Sequence, residues 1–215
     1  MTSNTPATLL AKLLAVNEQQ IVPLTREGVA SGSKVFGAAI LTRDGLVPHT
    51  VSTNNERVSP LLHGEINCIQ TFFFSEAEGR PATKDCIFFC THEPCSLCLS
   101  GITWAGFREF YYLFTYEDSR DLFSIPYDID IIESVFRVPA PSDTPETLEA
   151  RPLYNKTNKF FTSASLADLV ERIEDADEKA KWAAEVERVK GLYNALSATY
   201  QENKQSGITT SSVWK

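Results

Sequence analysis

Two short segments, His63-Gly64-Glu65 and Pro94-Cys95-Ser96-Leu97-Cys98, restrict the fold of this chain more than any other feature. Each stands where a helix is expected to begin, and about thirty residues separate them. Cys95 and Cys98 are three apart on a first helical turn, so both sulfurs can reach one ion. A helix N-terminus also stabilises thiolate charge. His63 can add an imidazole from the other helix start. Zn²⁺ takes such ligands in a tetrahedron, and three protein ligands leave a fourth position for water. A closed structural site would need a fourth protein ligand, for which Cys90 and His92 are the near candidates. Glu65 is not needed as a ligand and is free to carry protons. Any fold that uses these residues must bring two helix N-termini together.

The rest of the chain supplies a setting for that junction. Apolar residues at helical spacing predict a helix over 8–31, with Pro23 kinking or dividing it. Strands are predicted over 34–42 and 46–53, joined at the Asp44-Gly45 turn, with Pro48 suggesting an edge or a bulge. A helix follows over 61–74, a strand over 85–91, a helix over 95–105 and a strand over 108–114. A short helix over 128–133 and a last strand over 134–138 complete the pattern. Alternating helices and strands imply a three-layer α-β-α sandwich around a mixed five-stranded sheet. Four units are expected. They are a zinc domain over 1–138, a proline-rich linker or strap over 139–162, a long helix over 163–205 packed on the domain or on a partner, and a polar tail over 206–215. Ser165 with Asp168 resembles a capped helix start. Trp182, Val186, Val189, Tyr193, Leu196 and Tyr200 form an apolar stripe at steps of three and four.

Charge and cysteine usage narrow the function. The chain of 215 residues carries a net charge of −8, and an acidic surface repels phosphate backbones, so a long nucleic acid is disfavoured as substrate. Five cysteines, Cys68, Cys86, Cys90, Cys95 and Cys98, do not suggest a disulfide framework. With no secretory leader evident and no apolar run of about 20 residues, the expectation is no membrane span and a reducing, cytoplasmic or nuclear setting. Cys68, Cys86 and Cys90 read as small core hydrophobes, and His49 as a surface residue.

Over roughly residues 8 to 138 the chain resembles the cytidine deaminase-like superfamily, whose H-x-E…P-C-x-x-C signature these two segments match. Within it, the branch that acts on free bases is the most similar. Val35-Phe36-Gly37-Ala38-Ala39-Ile40 resembles the PFGA strand of bacterial-type guanine deaminases. Glu93 to Ala105 resembles their EPC-containing helix, although EPC-xx-C also occurs in tRNA adenosine deaminases. His63-Gly64-Glu65-Ile66 has the HGEI form of yeast-type cytosine deaminases, with glycine where most members carry alanine.

The resemblance implies zinc held by His63, Cys95 and Cys98, with Glu65 as proton shuttle. It implies an asparagine that grips the base, Asn54 or Asn55, with Asn54 slightly favoured. Phe36, Gly37 and Ala38 would border the ring. An acidic residue after the fourth strand would recognise a purine, and Asp118 or Asp121 is open for that role. His92 would line the pocket or cap a loop. Phe114, Tyr116 and Phe123 would stack on a flat ring or belong to the core. The family also implies a homodimer. The expected function is hydrolytic deamination of a small aminated base, guanine or a related aminopurine ahead of cytosine or an aminotriazine. The alternatives are a nucleoside, nucleotide or tRNA editor, and a zinc-stabilised scaffold without catalysis.

Overall fold

The computed structural model describes residues 4–76 and 78–214. The first three residues of the expected first unit and the last of the expected tail lie outside them. The chain opens with α1 (Pro6–Val16), capped by the Thr5 side chain, which accepts from the Thr8 N–H. A π-helical turn, Asn17–Ile21, leads directly into α2 (Val22–Ala30). Pro23 therefore does not break the helix. The wider turn just before it makes room for a residue that lacks an N–H and would crowd the preceding carbonyls.

The sheet has the order β2-β1-β3-β4-β5. Its strands are β1 (Gly37–Thr42), β2 (Pro48–Thr53), β3 (Cys86–His92), β4 (Glu109–Phe114) and β5 (Thr162–Ser165). β1 pairs antiparallel with β2 and β3, whereas β3 with β4 and β4 with β5 are parallel. The β1–β2 register slips between Ile40 and Leu41, opposite Pro48, on an edge strand where a missing donor costs least.

Helices cover both faces, so the three-layer mixed α/β architecture expected from the sequence is the one observed. Strand residues alternate between the layers. Ala39, Leu41, Ile87, Phe89, Tyr111 and Leu113 pack in one buried cluster with Leu10, Leu13 and Ile21. Ala38, Ile40, Phe88, Cys90, Phe110 and Tyr112 pack in the other with Cys68, Phe72 and Ile102. The second group comes from α3 (Gly64–Phe74) and α4 (Ser96–Ala105).

The fifth strand corrects the sequence reading. Residues 134–138 are not a strand. α5 (Tyr116–Phe123) is followed by α6 (Tyr127–Ile131), which runs on as a π-helical turn, Ile132–Phe136. The free edge of β4 is taken instead by β5, from beyond the proline-rich segment and its short α7 (Pro145–Glu149).

β5 feeds α8 (Leu166–Glu171), where Ser165 and Asp168 form the expected capping box. The long C-terminal helix is bent and segmented: α9 (Ala176–Gly191) and α10 (Tyr193–Ser206) meet at Leu192. Val186, Val189, Tyr193, Leu196 and Tyr200 of its apolar stripe are buried against the chain's own core. Among the described residues no helix is long and apolar enough to cross a membrane.

Candidate active site

His63 is the N-cap of α3 and Cys95 the N-cap of α4, both with extended ψ. The two helix starts therefore converge at the end of the sheet, as the paired motifs require. Cys95 Sγ lies 3.4 Å and Cys98 Sγ 3.6 Å from His63 Nδ1. Zinc bonds of about 2.3 Å to sulfur and 2.0–2.1 Å to nitrogen, at a tetrahedral angle, would separate these atoms by about 3.6 Å. The side chains thus already stand at the spacing a zinc ion needs, and Zn²⁺ is the cofactor this donor set fits.

Among the described residues the candidate metal group holds these three and no fourth ligand. Cys90 is buried in the α3–α4 core layer. His92 is enclosed by Phe36 at 4.4 Å, Phe114 at 4.7 Å and Phe123 at 5.0 Å between ring centroids. Neither is available to close the coordination shell.

Glu65 follows on the first turn of α3, buried, with its Oε2 accepting from the Cys98 thiol at 3.4 Å. Burial and the nearby Cys95 charge push its carboxyl up to about 7, against the opposing pull of His63. A carboxyl near neutrality can both accept and release a proton. Burial lowers the affinity of His63 for a proton, but Cys95 and Glu65 outweigh it and raise its pKa to about 9. The hydrogen bond from Cys98 holds the Cys95 thiol well below its usual value; burial opposes this and His63 reinforces it. A metal ion bound here would therefore displace the proton that His63 holds beside the Cys95 thiolate.

Gly64 is glycine for a steric reason. A Cβ there would meet Gly37 Cα at 2.7 Å, Gly37 N at 2.9 Å and Phe36 O at 3.0 Å. Its N–H donates to Asn54 Oδ1 at 2.5 Å, while Asn54 Nδ2 is buried without a protein partner. Asn55 instead donates its backbone N–H to Leu62 O and shapes the loop before α3.

A cavity of about 350 Å³ opens beside the metal ligands, lined by His63, Cys95, Phe36, Leu97, Tyr127 and Asp128 among others. Phe36 therefore borders it. Gly37 gives its N–H to Thr91 Oγ1 at 2.9 Å. Ala38 is fully buried against the α3–α4 layer.

Three expected substrate contacts lie elsewhere. His92 and Phe114 stack on each other within the layer that also holds Tyr193, so their rings are spent on the core. Asp118 completes the capping box of α5 and pairs with Lys190 at 2.9 Å. Asp121 pairs with Arg120 in solvent. Phe123 is core, and Tyr116 donates to Pro94 O.

The acid that does face the cavity is Asp128, on the first turn of α6. Burial and the Cys95 charge push its carboxyl well up, partly offset by His63. Sequence reasoning also missed Lys34 and the tail. Lys34 Nζ binds buried Glu56 at 2.6 Å and Ser212 Oγ at 2.6 Å. Ser212, Val213 and Trp214 line the cavity, with Trp214 5.7 Å from Tyr127.

Residues 18–114 match the family model of the cytidine and deoxycytidylate deaminase zinc-binding region. Guanine deaminase of Bacillus subtilis (strain 168) is 28% identical over 107 residues, which span 48% of this chain and 65% of that enzyme. The X-ray structure of guanine deaminase from Bacillus subtilis aligns over 66% of this chain and 83% of its own, at 28% identity and a TM-score of 0.45. A guanine deaminase from Nitrosomonas europaea aligns over 89% and 87%, at 19% identity and a TM-score of 0.44. The matched region contains His63, Glu65, Cys95 and Cys98, so over residues 18–114 this chain is similar to the zinc-binding region of the cytidine and deoxycytidylate deaminases.

Proposed function

We propose that the protein hydrolytically deaminates a small aminated nucleobase, with guanine or a related aminopurine as the favoured substrate. The observation that carries this reading is the three-ligand cluster, with the buried Glu65 carboxyl beside it, at the wall of a cavity of about 350 Å³. Zinc held there by His63, Cys95 and Cys98 would supply Lewis-acid activation of a water. Glu65 would take one proton from the attacking water and give it to the ring nitrogen, then carry the second, from the new hydroxyl, to the departing amine. The product carries the water oxygen as a carbonyl, and the amine leaves as ammonia.

Asn54 holds the ring through its Nδ2 donor, because its Oδ1 is already engaged by Gly64. Asp128 takes the place of the acid expected near Asp118, accepting from ring or exocyclic N–H groups on the far side of the base. A free base suits the cavity better than a nucleotide. Among the described residues that line it, the cation is Lys34, and Glu56 neutralises it, which leaves that lining poorly suited to a phosphate. The same shortage, with the net charge of −8, argues against a nucleic-acid substrate. The guanine deaminase relative supports the purine preference.

A homodimer is part of this reading. Phe74 and Trp104, 84% and 91% exposed, end the two helices that start at the metal site, and such apolar surface suits a second copy. Five unoxidised cysteines fit a cytoplasmic setting. Ammonia release across a panel of free bases and nucleosides tests the proposal. Turnover of guanine or another free aminopurine is expected, and turnover confined to nucleosides, nucleotides or RNA would overturn it.

A further inference from the structure

The geometry points to Glu93 and Tyr116 as positioning residues for the metal ligand Cys95, tied in turn to the proline-rich strap through Tyr154. The inference rests on zinc binding at the site and not on the identity of the substrate.

Glu93 lies two residues before Cys95 and is buried. Its backbone N–H donates to Phe114 O at 2.8 Å, which extends the β3–β4 pairing to the edge of the metal loop. Its carboxylate serves two further segments. Oε2 accepts from the Tyr116 N–H at 3.4 Å, at the first turn of α5, and Oε1 accepts from the Tyr154 hydroxyl at 2.8 Å, from the strap. Tyr116 then reaches back, and its hydroxyl donates to Pro94 O at 2.5 Å. Pro94 has no N–H of its own. The carbonyl bonded by Tyr116 therefore belongs to the peptide that leads directly into Cys95.

The arrangement is a closed circuit. The metal loop holds the start of α5, the start of α5 holds the metal loop, and the strap secures the carboxylate between them. Lys156, also on the strap, lies 3.7 Å from Glu93 Oε1 and donates to Tyr112 OH at 2.6 Å. A separate cavity of about 510 Å³ borders Glu93, Tyr116 and Tyr154. Space adjoins the circuit, so side-chain packing on that side cannot replace a lost hydrogen bond. Cys95 is the N-cap of α4, where a small shift of the loop moves its sulfur relative to Cys98, which sits inside the helix. Partners that orient metal ligands commonly set metal affinity by about 10–100-fold.

The test uses the full chain with Tyr116→Phe, Glu93→Gln and Tyr154→Phe. Zinc release to an excess of chelator, the visible spectrum of the cobalt-substituted protein and the melting temperature are measured together. Release is expected to accelerate about 10-fold or more in Tyr116→Phe and Glu93→Gln, with a changed cobalt spectrum, and by a smaller factor in Tyr154→Phe. Tyr116→Phe removes one oxygen without changing shape, so it decides the matter should Glu93→Gln fail to fold. Release within twofold of the parent with an unchanged cobalt spectrum in Tyr116→Phe would overturn the inference, whatever the melting temperature does. Because no readout involves deamination, the result stands apart from the substrate reading.

Discussion

The side-chain oxygen of Asn54 accepts the Gly64 backbone N–H at 2.5 Å. That bond orients the amide, so the group left over is a donor, and it is buried without a protein partner. Asn54→Asp keeps the acceptor and replaces the donor with a second acceptor. We expect kcat/KM to fall by roughly 10–100-fold, the equivalent of about 1–3 kcal/mol for one mispaired buried group. Steady-state kinetics at constant zinc content check this.

A substitution at Asp128 is expected to separate base recognition from metal chemistry. Asp128→Asn preserves shape but substitutes an amide for one carboxylate oxygen. Guanine turnover should fall by about 100-fold, while zinc content stays at that of the parent. Equal loss of zinc and activity would assign Asp128 to the metal site instead.

Gly64 should not tolerate even one added carbon. The Cβ of Gly64→Ala would press on Gly37 Cα at 2.7 Å, backbone against backbone, and no rotamer relieves it. The start of α3 must move off β1, at a cost of about 1–3 kcal/mol. Denaturant unfolding should show that loss, and metal affinity should weaken with it because His63 caps the displaced helix.

The buried Lys34–Glu56 pair makes stability depend on acid. Burial alone would raise the Glu56 pKa, but the Lys34 charge and its two hydrogen bonds hold the net value below the ordinary one. A depressed carboxyl stabilises the fold above its unfolded pKa, near 4.3, and that contribution disappears as pH falls through the lower folded value. Melting temperature measured from pH 6 downward should therefore drop below about pH 4.3, and less steeply in Glu56→Gln. At pH 7 that variant should lose about 3–5 kcal/mol, because it leaves a buried lysine without its counter-charge.

The metal ligands were legible because their chemistry depends on residue type, short spacing and helix starts, all of which are local. β1, β3 and β4 were legible for a related reason: each is an apolar run of strand length. β5 reads Thr-Ser-Ala-Ser and carries no such pattern; it is a strand because β4 leaves an open edge beside it. The same logic hid Asp128. Two acids nearer the fourth strand fitted the expected position, but Asp118 is consumed by a helix cap and Asp121 by an arginine. Only the path of α6 over the cavity distinguishes Asp128 from them. Trp214 was read as part of a loose polar tail, and its place against Tyr127 comes from tertiary bonds of Ser211 and Ser212 to Glu56 and Lys34. Such pairings across the whole chain leave no periodic trace.

The most direct measurement compares the zinc-loaded protein with Glu65→Gln, following zinc content and ammonia release from guanine in parallel. The account predicts one zinc per chain in both, with ammonia release slowed at least 100-fold in the variant. Full ammonia release by Glu65→Gln, or zinc bound at His63, Cys95 and Cys98 with no free base deaminated by the parent, would contradict it.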